Sequence, residues 1–305
     1  MIEMSKLESI KMIAKENQAL FWLYKEIKKI GIIHAYEWTL KKKFKDACGY
    51  ELNLQNPRGF NEKIQWIKVH QHDPLMTKCA DKYEVRNYIK QKVDVHCPCK
   101  LTKIFGVWEN PENIPFDTLP SQFVLKSNHA SGQVIIVKDK KNFNKDEAIK
   151  CMKKWLRDNY YYVTGEWVYK NIKPKIICEE LLDSDIKDYK FYCFNGIPKF
   201  LYISQGFAKS HDQVCMNYVS LKWEKTPFQR HDYAQFRELP PCPSNLTEMI
   251  EVAKALAKDF SFVRVDLYSI RGETYFSELT FYPNGGFATF YPMEWEYKIG
   301  EWLKL

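Results

Sequence analysis

The chain has 305 residues, a formal net charge of +8, 45% apolar residues and 15% aromatic residues. This composition is typical of a folded globular protein and excludes an intrinsically disordered chain. No segment approaches the roughly 20 uncharged apolar residues that a membrane span requires. The mixture of Glu and Lys with apolar residues over positions 1–20 is unlike a signal peptide. We therefore expect a soluble protein of the cytoplasm.

The positive charge is densest in the first half of the chain, for example in LKKKFKD (40–46) and KDKKNFNKD (138–146). Solvated helix faces and loops account for most charge of this kind. The remaining excess favours an acidic partner, either an acidic glycan or the anionic inner face of a membrane. No nucleic-acid-binding motif accompanies the charge, so we expect no nucleic-acid partner.

The nine cysteines lack the close, even spacing of a disulfide framework. Most of them adjoin apolar residues, where a reduced thiol behaves as a small buried hydrophobic group. HCPC at 96–99 has no second Cys pair at zinc-finger spacing, which argues against a structural metal there.

Helical periodicity dominates the first third of the chain. Residues 5–47 alternate apolar and charged side chains at helical spacing, with a break at Gly31, which predicts two helices with a basic outer face. Such a surface is suited either to packing on the main body or to contact with anionic lipid.

Two further helices are predicted before a stretch that contains four prolines (98–120). NEKIQWIKVH at 61–70 has Asn61 in position to cap it. MTKCADKYEVRNYIKQKV at 76–93 offers Thr77 or Asp81 as a cap.

The pattern then changes to strands mixed with helices. QFVLKSNHASGQVIIVKD at 122–139 predicts two strands around a polar loop, and residues 145–158 and 246–259 predict helices. The other predicted strands are KIICEELL (175–182), DYKFYCFNG (188–196), IPKFLYIS (197–204) and the two halves of FVRVDLYSIRGETYFSELT (262–280). Asn195-Gly196 is a strong signal for a hairpin. Because helices and strands do not alternate strictly, we expect an α+β fold with mixed sheets.

Asp266 and Glu278 interrupt the last two predicted strands at matching depth, on either side of a turn at Arg271-Gly272. An ionised carboxylate among apolar neighbours is costly unless something compensates it. The first compensation to consider is a shared divalent cation, and Mg²⁺ prefers two carboxylates together with nucleotide phosphates. The alternative is a strand-end carboxylate and a half-exposed acid without a metal.

Other polar residues stand at the ends or on one face of predicted strands. Lys126 ends a strand and enters the loop SNHASGQ (127–133), whose backbone N–H groups could approach phosphate oxygens. The loop alone is a weak signal, because Gly132 is its only glycine. Asp188 and Lys190 occupy alternate positions and therefore face the same side of their strand.

Four segments carry a resemblance to a known family: NEKIQW (61–66), DPLMTKCADKYEVR (73–86), KDYKFYCFNG (187–196) and FVRVDLY (262–268). Together they resemble the TupA-like branch of the ATP-grasp superfamily, which is associated with bacterial surface polysaccharide synthesis. The resemblance implies two α+β lobes that clasp ATP between antiparallel sheets. The corresponding divisions are a basic helical segment (1–55), a small lobe with its preceding helices (56–182) and a large lobe with the metal site (183–305).

The resemblance also implies the residues that bind the nucleotide. Those on the phosphate side are Lys82, Lys126, Ser131 and Gly132. Those on the adenine and ribose side are Glu179, Glu180, Leu182, Asp188 and Lys190. Glu180 and Leu182 would act mainly through their backbone groups.

Catalytic and metal-binding roles follow from the same resemblance. Lys82, Lys126 and Arg264 would neutralise the transferred phosphoryl group. Asp266 and Glu278 would bind Mg²⁺. Thr280 stands where most of the superfamily has an asparagine ligand, which puts the second metal's ligand set in doubt.

The implied activity is that of an ATP-dependent carboxylate–amine ligase. Its acceptor would be a uronic-acid carboxylate of a capsule or cell-wall glycan, joined to an amino acid or another amine, and the positive net charge agrees with an acidic acceptor. A first alternative is a sugar or glycan kinase with Asp188 or Glu166 as base. A second is a glycosyltransferase, for which DSD (183–185) has the required spacing, and a third is a non-catalytic glycan-binding relative.

An aromatic loop at 159–171 is the last feature of note. Tyr161, Trp167 and Tyr169 within it are candidates for an acceptor platform. Packing in the core is the more common role of such a cluster.

Overall fold

The computed structural model describes residues 36–95, 97–182, 186–205 and 214–305 as helices, two sheets and their connections. The α-helices are α1 (Tyr36–Cys48), α2 (Phe60–His70), α3 (Pro74–Ala80), α4 (Val85–Lys92), α5 (Lys145–Arg157), α6 (Tyr161–Thr164), α7 (Leu246–Ala257) and α8 (Glu294–Trp302). The strands are β1 (Ile104–Trp108), β2 (Phe123–Ser127), β3 (Val134–Val137), β4 (Ile176–Glu179), β5 (Asp188–Phe194), β6 (Ile197–Gln205), β7 (Cys215–Ser220), β8 (Phe262–Ile270) and β9 (Glu273–Thr280).

Two features predicted from the sequence are not among these residues. The first of the two N-terminal helices predicted in 5–47, and the segment DSD, lie outside the described residues. None of the described helices has the length and apolar character that crossing a membrane would require.

The strands form a four-stranded sheet in the order β1-β4-β2-β3 and a five-stranded sheet in the order β7-β6-β5-β8-β9. All pairings between these strands are antiparallel, which confirms the α+β prediction and replaces mixed sheets with antiparallel ones. The hairpin at Asn195-Gly196 is confirmed. Both residues have positive φ, 49° and 77°, which is the backbone that a two-residue hairpin turn requires.

The predicted helix caps are partly wrong. Asn61 lies inside α2. The residue before the helix is Gly59, whose N–H donates to the carboxylate of Glu62. Thr77 lies inside α3, which Asp73 caps through the Leu75 N–H. Asp81 accepts N–H bonds in the turn that leads into α4, so it stabilises that turn as expected of a capping residue.

The largest hydrophobic cluster joins the five-stranded sheet to the helices that precede the smaller sheet. Phe60 and Ile64 of α2 and Ile89 of α4 pack in one cluster with Phe191 and Val265 of the sheet. These helices, which were predicted to precede the small lobe, pack in the core of the larger sheet. The boundaries at residues 55 and 182 stay predictions.

The four-stranded sheet has its own cluster. Phe123, Leu125 and Ile176 of the sheet pack against Met152 of α5. Helix α5 presents its apolar side to this sheet because its buried residues recur at helical spacing. The two sheets therefore have separate cores, and polar side chains occupy much of the space between them.

Helix α8 packs against the start of α2 at Gly300. A Cβ atom at Gly300 would lie 2.2 Å from the Arg58 carbonyl oxygen and 3.0 Å from the Phe60 nitrogen. Lys63 Nζ donates to the Gly300 and Leu303 carbonyls at 2.9 and 2.8 Å, which ties α2 to the end of α8.

We expect Gly300→Ala to lower the free energy of unfolding by about 1–3 kcal/mol, because the added methyl group meets backbone atoms that cannot move alone. Chemical denaturation measures the change. An unhindered helical glycine gains up to about 1 kcal/mol from the same substitution, so a stabilised variant would show that the two helices can separate.

Candidate active site

A cavity of about 730 Å³ lies between the two sheets, lined by β2, β3 and β4 on one side and by β5, β8 and β9 on the other. Cofactor and small-molecule sites have volumes of roughly 300–1,000 Å³. Twelve of the thirteen predicted site residues line this cavity. They are Lys82, Lys126, Ser131, Gly132, Glu179, Glu180, Leu182, Asp188, Lys190, Arg264, Glu278 and Thr280. The thirteenth, Asp266, has an exposure of 0% and lies behind the wall.

The polar loop between β2 and β3 is anchored at its base and exposed at its tip. Asn128 Nδ2 donates to Asp81 Oδ2 at 2.8 Å. His129 Nε2 lies 3.1 Å from two carbonyl oxygens at the end of α5. Ser131 and Gly132 at the tip are exposed, and Gly132 has a φ of 73°, which glycine adopts without strain. The loop can therefore present backbone N–H groups to the cavity while its base stays in place.

Two lysines from different elements enter the cavity beside this loop. Lys82 Nζ donates to the Ala130 carbonyl at 2.5 Å, and Lys126 Nζ donates to Glu179 Oε2 at 2.7 Å. Burial lowers the pKa of Lys82, and Glu278 opposes that shift. Burial alone would also lower the pKa of Lys126, but the Glu179 carboxylate outweighs it and holds this pKa above its usual value. Lys126 therefore stays cationic.

The segment after β4 forms one end of the cavity. Glu180 is held by two bonds with Lys103, because its N–H donates to the Lys103 carbonyl at 2.9 Å and its Oε1 accepts the Lys103 N–H at 2.6 Å. Neither bond uses the Glu180 carbonyl or the Leu182 N–H. Exposed Val134 and Ile136 of β3 line the same cavity. Glu180, Leu182 and these two apolar side chains thus line the same cavity.

The buried carboxylate of Asp266 is neutralised by two cations. Arg264 donates to it through Nε at 2.7 Å and Nη2 at 2.6 Å, and Lys190 Nζ donates at 2.8 Å. Lys190 also lies 3.1 Å from Asp188 Oδ1, as expected from their alternate positions on β5. Burial would lower the pKa of Lys190, but the two aspartates raise it well above its usual range.

Glu278 is the carboxylate that reaches the cavity. It is the cross-strand partner of Asp266, and its side chain is 38% exposed. Arg264 Nη2 lies 3.3 Å from its Oε1 and donates to Thr280 Oγ1 at 2.9 Å. Burial would raise the pKa of Glu278, but Lys190, Arg264 and Lys82 lower it to about 2. Glu278 is therefore ionised at every physiological pH.

The family model for TupA-like ATP-grasp proteins matches residues 62–304, which is more than half of the chain. The chain belongs to the TupA-like ATP-grasp family. This match confirms the resemblance drawn from the four sequence segments and the ATP-grasp fold. No curated protein matches the chain.

Several solved ATP-grasp structures are similar to this TupA-like chain at low identity. A D-alanine–D-alanine ligase from Bacillus anthracis in complex with ATP is 16% identical, with a TM-score of 0.38, over 68% of this chain and 55% of its own. An L-amino acid ligase from Bacillus licheniformis is 15% identical, with a TM-score of 0.45, over 74% of this chain and 49% of its own. The chain thus spans about half the length of these proteins. Likeness of this extent carries no argument about the reaction.

The family implies Mg²⁺, and the donor set of the cavity fits this ion. Mg²⁺ prefers oxygen ligands and is commonly held by one or two carboxylates together with substrate phosphates. Glu278 supplies a carboxylate to the cavity beside Asp266 on the neighbouring strand. Among the described residues, no group of three or more His, Cys, Asp or Glu side chains could hold a metal by itself. An ion here would therefore depend on the phosphates of the nucleotide.

The structure corrects the first explanation of the paired acids. The first explanation drawn from the sequence was a divalent cation shared by Asp266 and Glu278. In the structure, Arg264 and Lys190 already balance the charge of Asp266. Sequence reasoning also missed Arg86, which lines the cavity with its Nη1 3.9 Å from Glu179. The sequence contained a signal for Arg86, because it follows Lys82 by four residues and this spacing places two side chains on the same side of a helical turn.

The aromatic loop divides between the cavity and the surrounding surface. Tyr169 and Tyr160 line the cavity. Trp167 stacks on His72 instead, with ring centroids 4.6 Å apart. Within the described part of the chain, neither Trp167 nor Tyr161 belongs to the cavity lining. An acceptor platform built on this loop would therefore use Tyr169 and Tyr160.

We expect Asp266→Asn to lower the free energy of unfolding without metal by about 3–5 kcal/mol, because the change removes the buried carboxylate that Arg264 and Lys190 share. Glu278→Gln should cost less, since its side chain is partly exposed. Chemical denaturation in the presence of a chelator compares the two variants.

Glu273→Gln is the matched control on the same hairpin. Glu273 pairs with Lys100 at the surface, with side-chain exposures of 51% and 53%, and such pairs contribute about 0–1 kcal/mol. An Asp266→Asn variant as stable as this control would mean that the ion pairs contribute nothing, and a more stable one would mean that repulsion between Asp266 and Glu278 outweighs them.

Proposed function

We propose that this TupA-like ATP-grasp protein is an ATP-dependent carboxylate–amine ligase. The observation that carries the proposal is the cavity between the two sheets, which Lys82, Lys126, Lys190 and Arg264 line together with a glycine-containing loop tip and the partly exposed carboxylate of Glu278. This arrangement suits a polyphosphate with its metal ion. Glu180 and Leu182 at the end of the cavity would hold the adenine edge.

The proposed reaction has two steps. A substrate carboxylate takes the γ-phosphoryl group of ATP and becomes an acyl phosphate, with release of ADP. An amine then attacks the acyl carbon, the carbon–oxygen bond to phosphate breaks, and an amide and inorganic phosphate are formed. Mg²⁺ would reduce the negative charge of the phosphates. The protein contributes position and positive charge rather than a covalent nucleophile.

Each cationic residue has a distinct place in this scheme. Lys82 and the loop tip would contact the phosphate oxygens from the side of the four-stranded sheet. Arg264 reaches the cavity from the five-stranded sheet, with its orientation fixed by two bonds to Asp266. A guanidinium held in this way can donate to a transferred phosphoryl group without first losing conformational freedom. Glu278 would hold Mg²⁺ together with the nucleotide phosphates. Asp266, predicted as a second ligand, lies behind the cavity wall with both oxygens bonded to Arg264 and Lys190.

The acceptor in this proposal is a uronic-acid carboxylate of a surface glycan, and the second substrate is an amino acid or another amine. The net charge of +8 favours a polyanionic acceptor, and the family's association with surface polysaccharides agrees with it. The protein would act in the cytoplasm, where the basic segment at residues 1–55 would hold it against the inner face of the membrane.

A glycan kinase is the second candidate, because Glu166 and Asp188, either of which could act as its base, both line the cavity. The two candidates share the ATP site and differ in the product. Incubation with Mg-ATP, uronic acids and pooled amino acids, followed by mass spectrometry, distinguishes them. We expect a mass that corresponds to an amide, and a phosphoester would favour the kinase.

We expect Mg-ATP to raise the melting temperature more than a UDP-sugar does, and Lys126→Met to remove most of that increase. A ligand at about 100 times its dissociation constant stabilises the native state by about 2.7 kcal/mol, and Lys126 is placed to contribute to phosphate binding. Thermal denaturation with and without each nucleotide provides the measurement.

Lys150→Met is the matched control, because Lys150 is an exposed lysine of α5 outside the cavity lining. It should retain the full increase with Mg-ATP. An equal or larger increase with the UDP-sugar in the unchanged protein would support the glycosyltransferase alternative and contradict the ligase.

A further inference from the structure

A buried acid outside the predicted nucleotide and metal sites, Glu166, also lines the cavity. Glu166 lines the cavity with an exposure of 8%. It lies in the aromatic loop, on the side of the cavity formed by α6 and the segment around Gly285. A Cβ atom at Gly285 would stand 3.7 Å from Glu166 Oε1, so the carboxylate adjoins the backbone of that segment.

Several charged groups of the cavity interact with one another electrostatically. Glu179 acts on Lys126 and Lys82, and Glu278 acts on Lys82 and on Glu166. Lys68 and Lys43 are the cations that act most strongly on Glu166. Glu278 thus interacts electrostatically with both Lys82 and Glu166, and all three side chains line the same cavity.

Lys68 is a buried cation that interacts electrostatically with Glu166 from outside the cavity lining. Lys68 is 1% exposed, and its Nζ donates to the Gly285 carbonyl at 2.8 Å and lies 4.6 Å from the centre of the Phe287 ring. Lys68 does not line the cavity, whereas Glu166 does. Lys68 therefore partly balances the charge of Glu166 without occupying the cavity. Burial raises the pKa of Glu166 although Lys68 opposes the shift, which suits a group that takes up a proton near neutral pH.

We propose that Glu166 binds the amine substrate as its ammonium ion and accepts the proton that the nitrogen must lose before it can attack. This inference rests on the proposed ligase function. The ammonium transfers one proton to Glu166 and becomes a neutral amine. Its nitrogen forms a bond with the acyl carbon of the acyl phosphate, and the carbon–oxygen bond to phosphate breaks. The nitrogen's second excess proton leaves with the phosphate, so the products are an amide and hydrogen phosphate.

The surroundings of Glu166 are consistent with an ammonium ligand. An ammonium ion gains from a carboxylate and from aromatic faces nearby, and the other lining residues at this place are mostly aromatic or polar. The charged and titratable groups that face Glu166 are Lys68 on α2, Lys43 on α1, Glu278 on β9, and Tyr160 and Tyr169 of its own loop.

The test compares two nucleophiles in the full-length protein with Mg-ATP and pooled uronic acids and amino acids as carboxylates. Hydroxylamine is uncharged near neutral pH and needs no base, so it reports acyl phosphate formation as a hydroxamate. A pool of amino acids with ethanolamine supplies ammonium nucleophiles and reports amide formation. We expect Glu166→Gln to lower the ratio of amide to hydroxamate about 100-fold at about pH 7, within the usual contribution of a general base.

Raising the pH separates a proton acceptor from a group that only shapes the site. An alkyl ammonium loses its proton near about pH 10, so the amide-to-hydroxamate ratio of Glu166→Gln should rise toward that of the unchanged protein as this pH is approached. Glu109→Gln is the control. Glu109 pairs with Lys173 at the surface and lies outside the cavity lining, and its ratio should match that of the unchanged protein.

Each other outcome overturns the inference. An unchanged ratio in Glu166→Gln, or equal loss of both products, removes the role of Glu166 while leaving the ligase function intact. A hydroxamate without any amide in the unchanged protein contradicts an ammonium nucleophile. Absence of both products in the unchanged protein contradicts the ligase function itself, and the inference falls with it. If Glu166→Gln does not fold, Glu166→Gln/Lys68→Met removes both buried charges and carries the same expectations.

Discussion

A buried carboxylate between two cations determines how the five-stranded sheet faces the cavity. Lys190 on β5, Asp266 on β8 and Glu278 on β9 are successive cross-strand partners, so one row of charges crosses three strands. Asp266 cannot be solvated, and it is stable there because Arg264 and Lys190 both donate to it. The hydrogen bonds that neutralise Asp266 also fix the orientation of Arg264 and Lys190. The same contacts therefore serve both stability and the proposed function.

The larger core supports this row from outside the sheet. Helix α2 packs in the sheet's cluster and is joined to α8 through Asn61, whose backbone and side chain both donate to the buried carboxylate of Glu296. The same helix carries Lys68, which interacts electrostatically with Glu166. A helix that precedes the smaller sheet in sequence thus positions groups on the far side of the cavity, and its packing links the core to the proposed amine site.

The two sheets contribute different kinds of group to the cavity. The smaller sheet supplies the loop tip, the cation of Lys126 and the segment around Glu180. The larger sheet supplies side chains that hold one another by ion pairs. Because each sheet has its own hydrophobic cluster, the cavity between them can be polar without weakening either core.

The sequence by itself determined the elements with strong local signals. Asn195-Gly196 specified a hairpin through positive φ, alternating residues placed Asp188 beside Lys190, and four motifs led to the family and to twelve residues of the cavity. Short β1 and β7 and helix α8 were missed, because they lack a local pattern that separates them from loops. Only the tertiary structure decided that Lys190 pairs with Asp266, 76 residues away, and that α2 brings Lys68 to Glu166. Both depend on which strands become neighbours and how helices pack, and these are set by long-range burial rather than by any spacing along the chain.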